Sequence, residues 1–458
     1  MGMHRMKLIL FSLLCLGLTI TEGAAHEIKL KFTGIKNVNV VLVHFHANTK
    51  TRYAEDTAYI DALGAGVFNS PKTLEEGIYQ VLFPNYQTIE FIIGAQQQFE
   101  IDANIGSSIS QVKFVNCPEN IDYQNYLTKK KSYDSLSTKF HKQLEVLPAG
   151  KESNNLQKRI KITDSAYSSI REGLIKKYEK SFLGILLHSN LSEVSNASLF
   201  PLTVNSFKAP ALLNTPYYES RLMYFLDSVV TQRNDSIEVI LSTLFNNSLA
   251  STPLFQYVSA AVLKHYREKK DAEVLYLYVA ENFYIPFVSW DSAEQMENLQ
   301  LDISRIKPTM VGSEAQNIYL NRYNPAPGST LFTDSGFFKS TLYSIDADYL
   351  VVVFWNQDCD SCRKNILLLN ELVQKRASKK VVLLSMNMQG SKEELASWLK
   401  FINDNSLQEV VNASPSSMYF KELYQAKTNQ NIFVLDKGKR ILARKLSCRE
   451  VAQYLPKP

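Results

Sequence analysis

The stretch Leu350-Val351-Val352-Val353-Phe354-Trp355-Asn356-Gln357-Asp358-Cys359-Asp360-Ser361-Cys362-Arg363-Lys364 decides how this 458-residue chain reads. Its apolar run from Leu350 to Trp355 fits a strand, and a long helical pattern begins at the cysteines. The two thiols therefore sit at a strand-to-helix junction. A thiolate on the first turn of a helix is stabilised by the helix dipole and by unpaired backbone N–H groups, which makes one cysteine a nucleophile near neutral pH. In the helix, Cys362, Ile366, Leu369 and Val373 fall on one stripe, so Cys362 is directed into the core while Cys359 stays at the exposed tip. That separation of an attacking from a resolving thiol points to thiol–disulfide chemistry.

Working outward, residues 331–458 alternate strands and helices. A hairpin is expected around Leu331 to Leu342, a strand over Tyr349 to Trp355, and a helix from Cys359 to about Arg376. Then come a strand over Val381 to Met386, a helix over Lys392 to Ile402, a strand over Ile432 to Asp436, a hairpin strand over Arg440 to Lys445, and a last helix from Cys448. This order requires an α/β sheet with helices on its faces. Upstream, Pro308, Gly312, Pro325, Pro327 and Gly328 mark a linker over 311–330. Residues 118–310 carry the helical period, as in Ile170, Leu174, Tyr178, Phe182, and form an all-α middle domain. Its tyrosines, among them Tyr217, Tyr218, Tyr224, Tyr257, Tyr266 and Tyr276, fit a packed core better than a partner groove. Residues 26–117 are rich in β-branched and aromatic runs with glycine punctuation, which predicts an antiparallel, sandwich-like β domain. Within it His44 and His46 share a strand face. With no third ligand beside them they read as polar surface histidines.

The first 25 residues have the form of a signal peptide: Arg5 and Lys7, an apolar stretch from Leu8 to Ile20, and Gly23-Ala24-Ala25 before His26. An exported protein of the periplasm or cell envelope is expected, with no transmembrane segment in the mature chain. Leu14 precedes Cys15 where a lipidation signal wants a small residue, so lipid attachment is not expected. Loss of Arg5, Lys7 and Glu22 changes the formal charge of +5 to +4. Lysines and glutamates are scattered, the triplet Lys129-Lys130-Lys131 reads as a solvated turn, and no nucleic-acid partner is expected. The Asn-X-Ser triplets at Asn190, Asn196, Asn234, Asn246 and Asn412 are what an Asn- and Ser-rich chain produces by chance. Besides the pair, only Cys117 and Cys448 remain in the mature chain, and both read as buried single thiols.

Phe354-Trp355, Cys359-x-x-Cys362 with Arg363-Lys364, and Ile432-Phe433-Val434-Leu435-Asp436-Lys437 with Gly438-Lys439 resemble the thioredoxin-like domains of the TlpA/ResA kind. The upstream part is similar to the accessory modules that precede such domains in Bacteroidota envelope proteins, and Asn116-Cys117-Pro118-Glu119-Asn120 falls where the β module ends in a Glu-Asn turn. The resemblance implies a C-terminal thioredoxin-like fold, a disulfide-bearing protein substrate, a thiol electron donor and no cofactor. It also implies Cys359 as attacking and Cys362 as resolving thiol, with Trp355 packed beside them.

Two departures stand out. The family's cis-proline before the strand at Ile432 aligns with Gln430, and the kinking proline past the second cysteine is replaced by Asn365-Ile366-Leu367. A cis bond before a non-proline residue costs about 3 kcal/mol, so Gln430 is expected trans and the substrate groove altered. Asp358 and Asp360 disfavour the Cys359 thiolate, whereas the helix N-terminus, Arg363 and Lys364 favour it. A less stabilised thiolate makes a disulfide harder to reduce, which leans the pair toward a reductase. The alternative is a thioredoxin-like binding or scaffold protein that has lost catalysis. A zinc site needs about four ligands, and residues 331–458 hold no histidine and only Cys448 as a further thiol. No metal is expected.

Overall fold

The computed structural model describes residues 25–193, 199–230, 236–323, 336–376, 380–388, 392–426 and 430–457. Residues 1–24 of the expected signal peptide, Asn196, Asn234, and the Pro325, Pro327 and Gly328 of the expected linker lie outside them. The chain divides into two compact units, residues 1–265 and 266–458.

The first unit begins with eight strands, β1 (His26–Thr33), β2 (Val38–His46), β3 (Asn48–Ile60), β4 (Ala65–Ser70), β5 (Gly77–Leu82), β6 (Thr88–Ile93), β7 (Gln98–Ile105) and β8 (Ile109–Val115). They form two four-stranded sheets, ordered β4-β1-β7-β8 and β3-β2-β5-β6. Alternating residues of both, including Ile28, Leu30, Val40, Leu42, Phe91 and Ile101, share one buried cluster, as a sandwich requires. The expected antiparallel pairing holds except for β1 and β7, which run parallel. Parallel neighbours need a long crossover, and residues 34–97 supply it.

The β-rich part hands over to helices at the phrase Asn116-Cys117-Pro118-Glu119-Asn120. Asn116 takes a positive φ of 61°, and Pro118 opens α1 (Pro118–Val146), where its missing N–H costs nothing. The Asn120 amide is fully buried. It accepts from the Ile92 N–H and donates to the Ile92 carbonyl, both at 2.8 Å, so both free edge groups of that residue are satisfied. The Glu119 carboxylate accepts from Leu183 N–H at 2.9 Å at the start of α3. Next come α2 (Lys151–Lys177), α3 (Phe182–Ser189), α4 (Tyr218–Tyr224), α5 (Ile237–Ser248) and α6 (Thr252–Glu268), in which the unit boundary falls. The Lys129-Lys130-Lys131 triplet, expected in a turn, lies inside α1, because the apolar stripe of Tyr123, Tyr126 and Tyr133 carries the helical period through it.

A buried carboxylate organises these helices. Glu193 is 0% exposed. It accepts from the phenols of Tyr126 and, at 3.2 Å, Tyr167, and faces Lys130 at 3.3 Å and Arg171 at 3.4 Å. Burial and the nearby carboxylate raise the Tyr126 phenol far above its ordinary range, so it stays a donor. Tyr218, Tyr266 and Tyr276 are likewise buried, in line with the packed-core reading.

The second unit begins with α7 (Glu273–Val279) and α8 (Ala293–Ile306), so the helical stretch of the sequence is shared between the units. Its sheet contains β9 (Tyr319–Tyr323), β10 (Phe337–Thr341), β11 (Tyr349–Trp355), β12 (Val381–Asn387), β13 (Val411–Pro415), β14 (Gln430–Asp436) and β15 (Ile441–Arg444), in the order β10-β9-β13-β12-β11-β14-β15. Strands β11, β12 and β13 run parallel, and β14 runs antiparallel to β11. The helices α9 (Asp360–Gln374), α10 (Lys392–Asp404) and α11 (Phe420–Leu423) complete it. One face of the sheet packs Val351, Val353, Trp355 and Ile432 with Cys362, Ile366, Leu369 and Trp398. The other packs Leu350, Val352, Phe354 and Phe433 with Phe420 and Tyr424.

Three expectations are corrected. Residues 319–323, read as linker, are strand β9, which pairs with β10; residues 331–335 of the expected hairpin lie outside the described residues. Strand β13 was not anticipated, since Val411-Asn412-Ala413-Ser414-Pro415 is too short and polar to signal a strand alone; pairing on both edges makes it one. The helix expected from Cys448 is only a 3₁₀ turn over Glu450–Tyr454.

Candidate active site

Strand β11 ends at Trp355 in the middle of the sheet, and the chain crosses Asn356 to Asp358 before α9 begins. Cys359 is the N-cap of α9, with an extended backbone (φ −93°, ψ 105°), and its Sγ accepts from the Cys362 N–H at 3.2 Å. That N–H is one of the donors a helix leaves free at its first turn. The sulfur of Cys359 thus lies where the dipole of a 15-residue helix favours negative charge. The two cysteines are joined in a disulfide, with Cα atoms 5.2 Å apart. Cys362 is 1% exposed, as the helix stripe predicts, whereas Cys359, expected at an exposed tip, is half-buried.

The charged neighbours divide unequally. Asp358 and Asp360 are both exposed. Arg363 is paired with the Asp360 carboxylate and also donates to the Gln357 carbonyl at 2.7 Å. Its charge is therefore spent on the loop and on Asp360. Gln357 is buried and its side-chain amide donates to the Ser397 carbonyl of α10 at 3.4 Å. Gln357 and Arg363 between them hold the loop that carries Cys359, and sequence reasoning passed Gln357 over because an isolated Gln in a loop has no periodic or motif signal.

Trp355 is 0% exposed, and its indole N–H donates to Ser385 Oγ at 2.9 Å. It lies in the same packed cluster as Cys362, a buried floor rather than a cover at the surface. The strand residues Val351, Val352 and Val353 are buried and offer no carboxylate to take a proton from Cys362. Gln430 is the first residue of β14 and pairs with Trp355 across the ladder, which brings its backbone beside the end of β11; its side chain lies outside the described residues. No cis peptide bond occurs among the described residues.

Among the described residues the other two cysteines, Cys117 and Cys448, are free thiols. Cys117 is buried, and burial raises its thiol despite hydrogen bonds from Asn120. Cys448 is half-buried and its thiol is pushed up to about 11 by desolvation. His44 and His46, expected at the surface, are half-buried. His44 faces Glu55 at 3.1 Å, and His46 packs edge-on against Tyr53 and Tyr257. Among the described residues no three His, Cys, Asp or Glu side chains gather as a metal would need.

With this geometry in view, solved structures can be compared. A thioredoxin-like protein from Bacteroides caccae is similar at 19% identity and a TM-score of 0.31, over 52% of this chain and 91% of its own. A domain of a possible thiol-disulfide isomerase from Cytophaga hutchinsonii is similar at 24% identity and a TM-score of 0.26, over 32% and 90%. A putative thiol:disulfide interchange protein DsbE from Chlorobium tepidum is similar at 17% and 0.26, over 32% and 94%. No family model matches the chain, and no curated protein matches it. No helix among the described residues is long and apolar enough to cross a membrane.

Proposed function

We propose that this protein is an exported thiol–disulfide oxidoreductase, leaning toward reduction, that acts on protein disulfides through Cys359 and Cys362. The observation that carries the reading is the placement of the Cys359 sulfur at the N-terminus of α9, against the Cys362 N–H, with Cys362 buried behind it.

In the reduced enzyme the Cys359 thiolate attacks one sulfur of a substrate disulfide. The substrate S–S bond breaks, a mixed disulfide forms, and the departing substrate sulfur takes up a proton. Cys362 then loses its proton and attacks the Cys359 sulfur, the mixed disulfide breaks, and the second substrate thiol leaves. Two electrons pass to the substrate, and a thiol donor restores the dithiol by the reverse exchange. The lean toward reduction rests on Arg363. Paired with Asp360, it lends the Cys359 thiolate little net charge and offsets that carboxylate in turn, so helix dipole and Lys364 act against Asp358. A thiolate held only moderately gives a disulfide that resists reduction.

Equilibration in graded thiol buffers, followed by trapping and counting of thiols by mass spectrometry, tests this. A reversible two-electron transition confined to Cys359 and Cys362, lost in Cys359→Ser, is the expected result. A pair that never cycles between the two states overturns it and leaves a binding protein built on the same scaffold, the reading that the missing proline at Gln430 favours.

A further inference from the structure

We infer that the far end of the α1–α2 hairpin docks this protein onto an anionic lipid surface. At 29 residues α1 is about 43 Å long, and only its first half is held by the rest of the unit. Asn120 is bonded to Ile92, Tyr123 to Glu90 at 2.9 Å, and Tyr126 and Lys130 to Glu193. Beyond the bond from the Tyr133 phenol to Asp164 at 2.7 Å, α1 and α2 pack on each other, as where the Arg159 guanidinium lies 4.7 Å over the Phe140 ring. Along that distal stretch only Ser137, Phe140, Ser153 and Leu156 are buried, a narrow seam between two helices.

The arm ends in Val146-Leu147-Pro148-Ala149-Gly150. Leu147 is extended (φ −85°, ψ 129°), as a residue before proline must be, and the Gly150 N–H is held by the Ser153 hydroxyl at 3.0 Å, so the turn has a defined form. A solvated turn would be polar, yet Val146 is 81% exposed, with Pro148 and Ala149 also exposed. Behind this apolar tip lies a collar of exposed base. Residues 135–163 hold Lys139, Lys142, Lys151, Lys158, Arg159 and Lys161 against Glu145 and Glu152 alone. That local balance of +4 equals the +4 expected of the whole chain after residue 25. An apolar end that enters the acyl boundary and a basic collar that meets headgroups are the two parts of an interfacial anchor. The apolar residues stand at the end of the arm and the bases behind them, the order in which acyl chains and headgroups meet an interfacial anchor.

The test uses the chain from residue 26 onward, sedimented with vesicles of phosphatidylcholine doped with phosphatidylglycerol and with phosphatidylcholine alone. Binding to the doped vesicles is expected, falling steeply with salt. Each Lys or Arg near an anionic surface is worth about fivefold in affinity, so Lys142→Glu, Lys151→Glu and Lys158→Glu combined should weaken it by about a hundredfold or more. Val146→Ser with Ala149→Ser, which removes apolar surface without adding charge, should cost about tenfold, and Val146→Trp should show a blue-shifted emission on doped vesicles. All substituted side chains are exposed, and unchanged circular dichroism and thiol titration separate lost docking from lost fold. No sedimentation, equal sedimentation on neutral vesicles, or full binding by the charge-reversed variant overturns the inference. Charge-dependent binding that the tip variants leave intact, with no shift of the Trp emission, assigns the arm to an acidic protein and overturns it equally.

Discussion

Glu193 and Asp360 are both carboxylates paired with arginine, and they sit in opposite circumstances. Glu193 is sealed, 0% exposed, between Arg171, Lys130 and two phenols. Asp360 is 80% exposed and shares Arg363 with a loop carbonyl. A desolvated charge must be matched on every side, so the first cluster is committed to holding helices together. The second lies in water, where ion pairs contribute little to stability but can still tune a neighbouring thiol. One arrangement serves the fold, and the other lies beside the thiols of the proposed chemistry.

The largest effect that could break this contrast is at Glu193. Glu193→Ala leaves Arg171 without its carboxylate in the interior and Lys130 with Asp134 alone, and a loss of about 3–5 kcal/mol is expected. Urea unfolding followed by the helical signal reads it, with Glu193→Gln as the variant that keeps the shape, while the potential of the Cys359–Cys362 pair should not move. Next is Asn120→Ala, which strands the Ile92 N–H and carbonyl and should cost about 2 kcal/mol or more in the same titration.

At the open cluster the order reverses. Arg363→Gln should change stability by less than about 1 kcal/mol yet slow alkylation of Cys359 about two- to fivefold, the reach of one charge at a helix end. It leaves Asp360 uncompensated, so the disulfide should also become harder to reduce. A large stability loss with unchanged thiol reactivity would erase the distinction between the clusters. The smallest effect concerns Cys448. A thiol at about 11 is ionised to roughly one part in a thousand at pH 8. Its trapping should rise only as pH climbs toward 11, and Cys448→Ser should leave the pH 8 trapping rate of the reduced pair unchanged.

Much of this was legible locally. A run of apolar residues into Cys-Asp-Ser-Cys announces a strand, a turn and a helix start, because each depends on neighbours a few residues away. The stripe Cys362, Ile366, Leu369 placed one thiol inside, and the structure agrees. The misses are of another kind. Strand β13 exists through its ladder partners, and β9 was hidden in a Pro- and Gly-punctuated stretch read as linker. Gln357 matters through Ser397, which is 40 residues away.

Short-range chemistry is thus enough to say which of the two thiols lies inside, where the helix begins and which residues face inward, since backbone geometry and side-chain period are properties of adjacent residues. Whether a charge is sealed or open is another matter. Glu193 and Asp360 are alike in sequence, and they part only when distant segments close over one and leave the other in water, because burial is a property of everything packed around a residue.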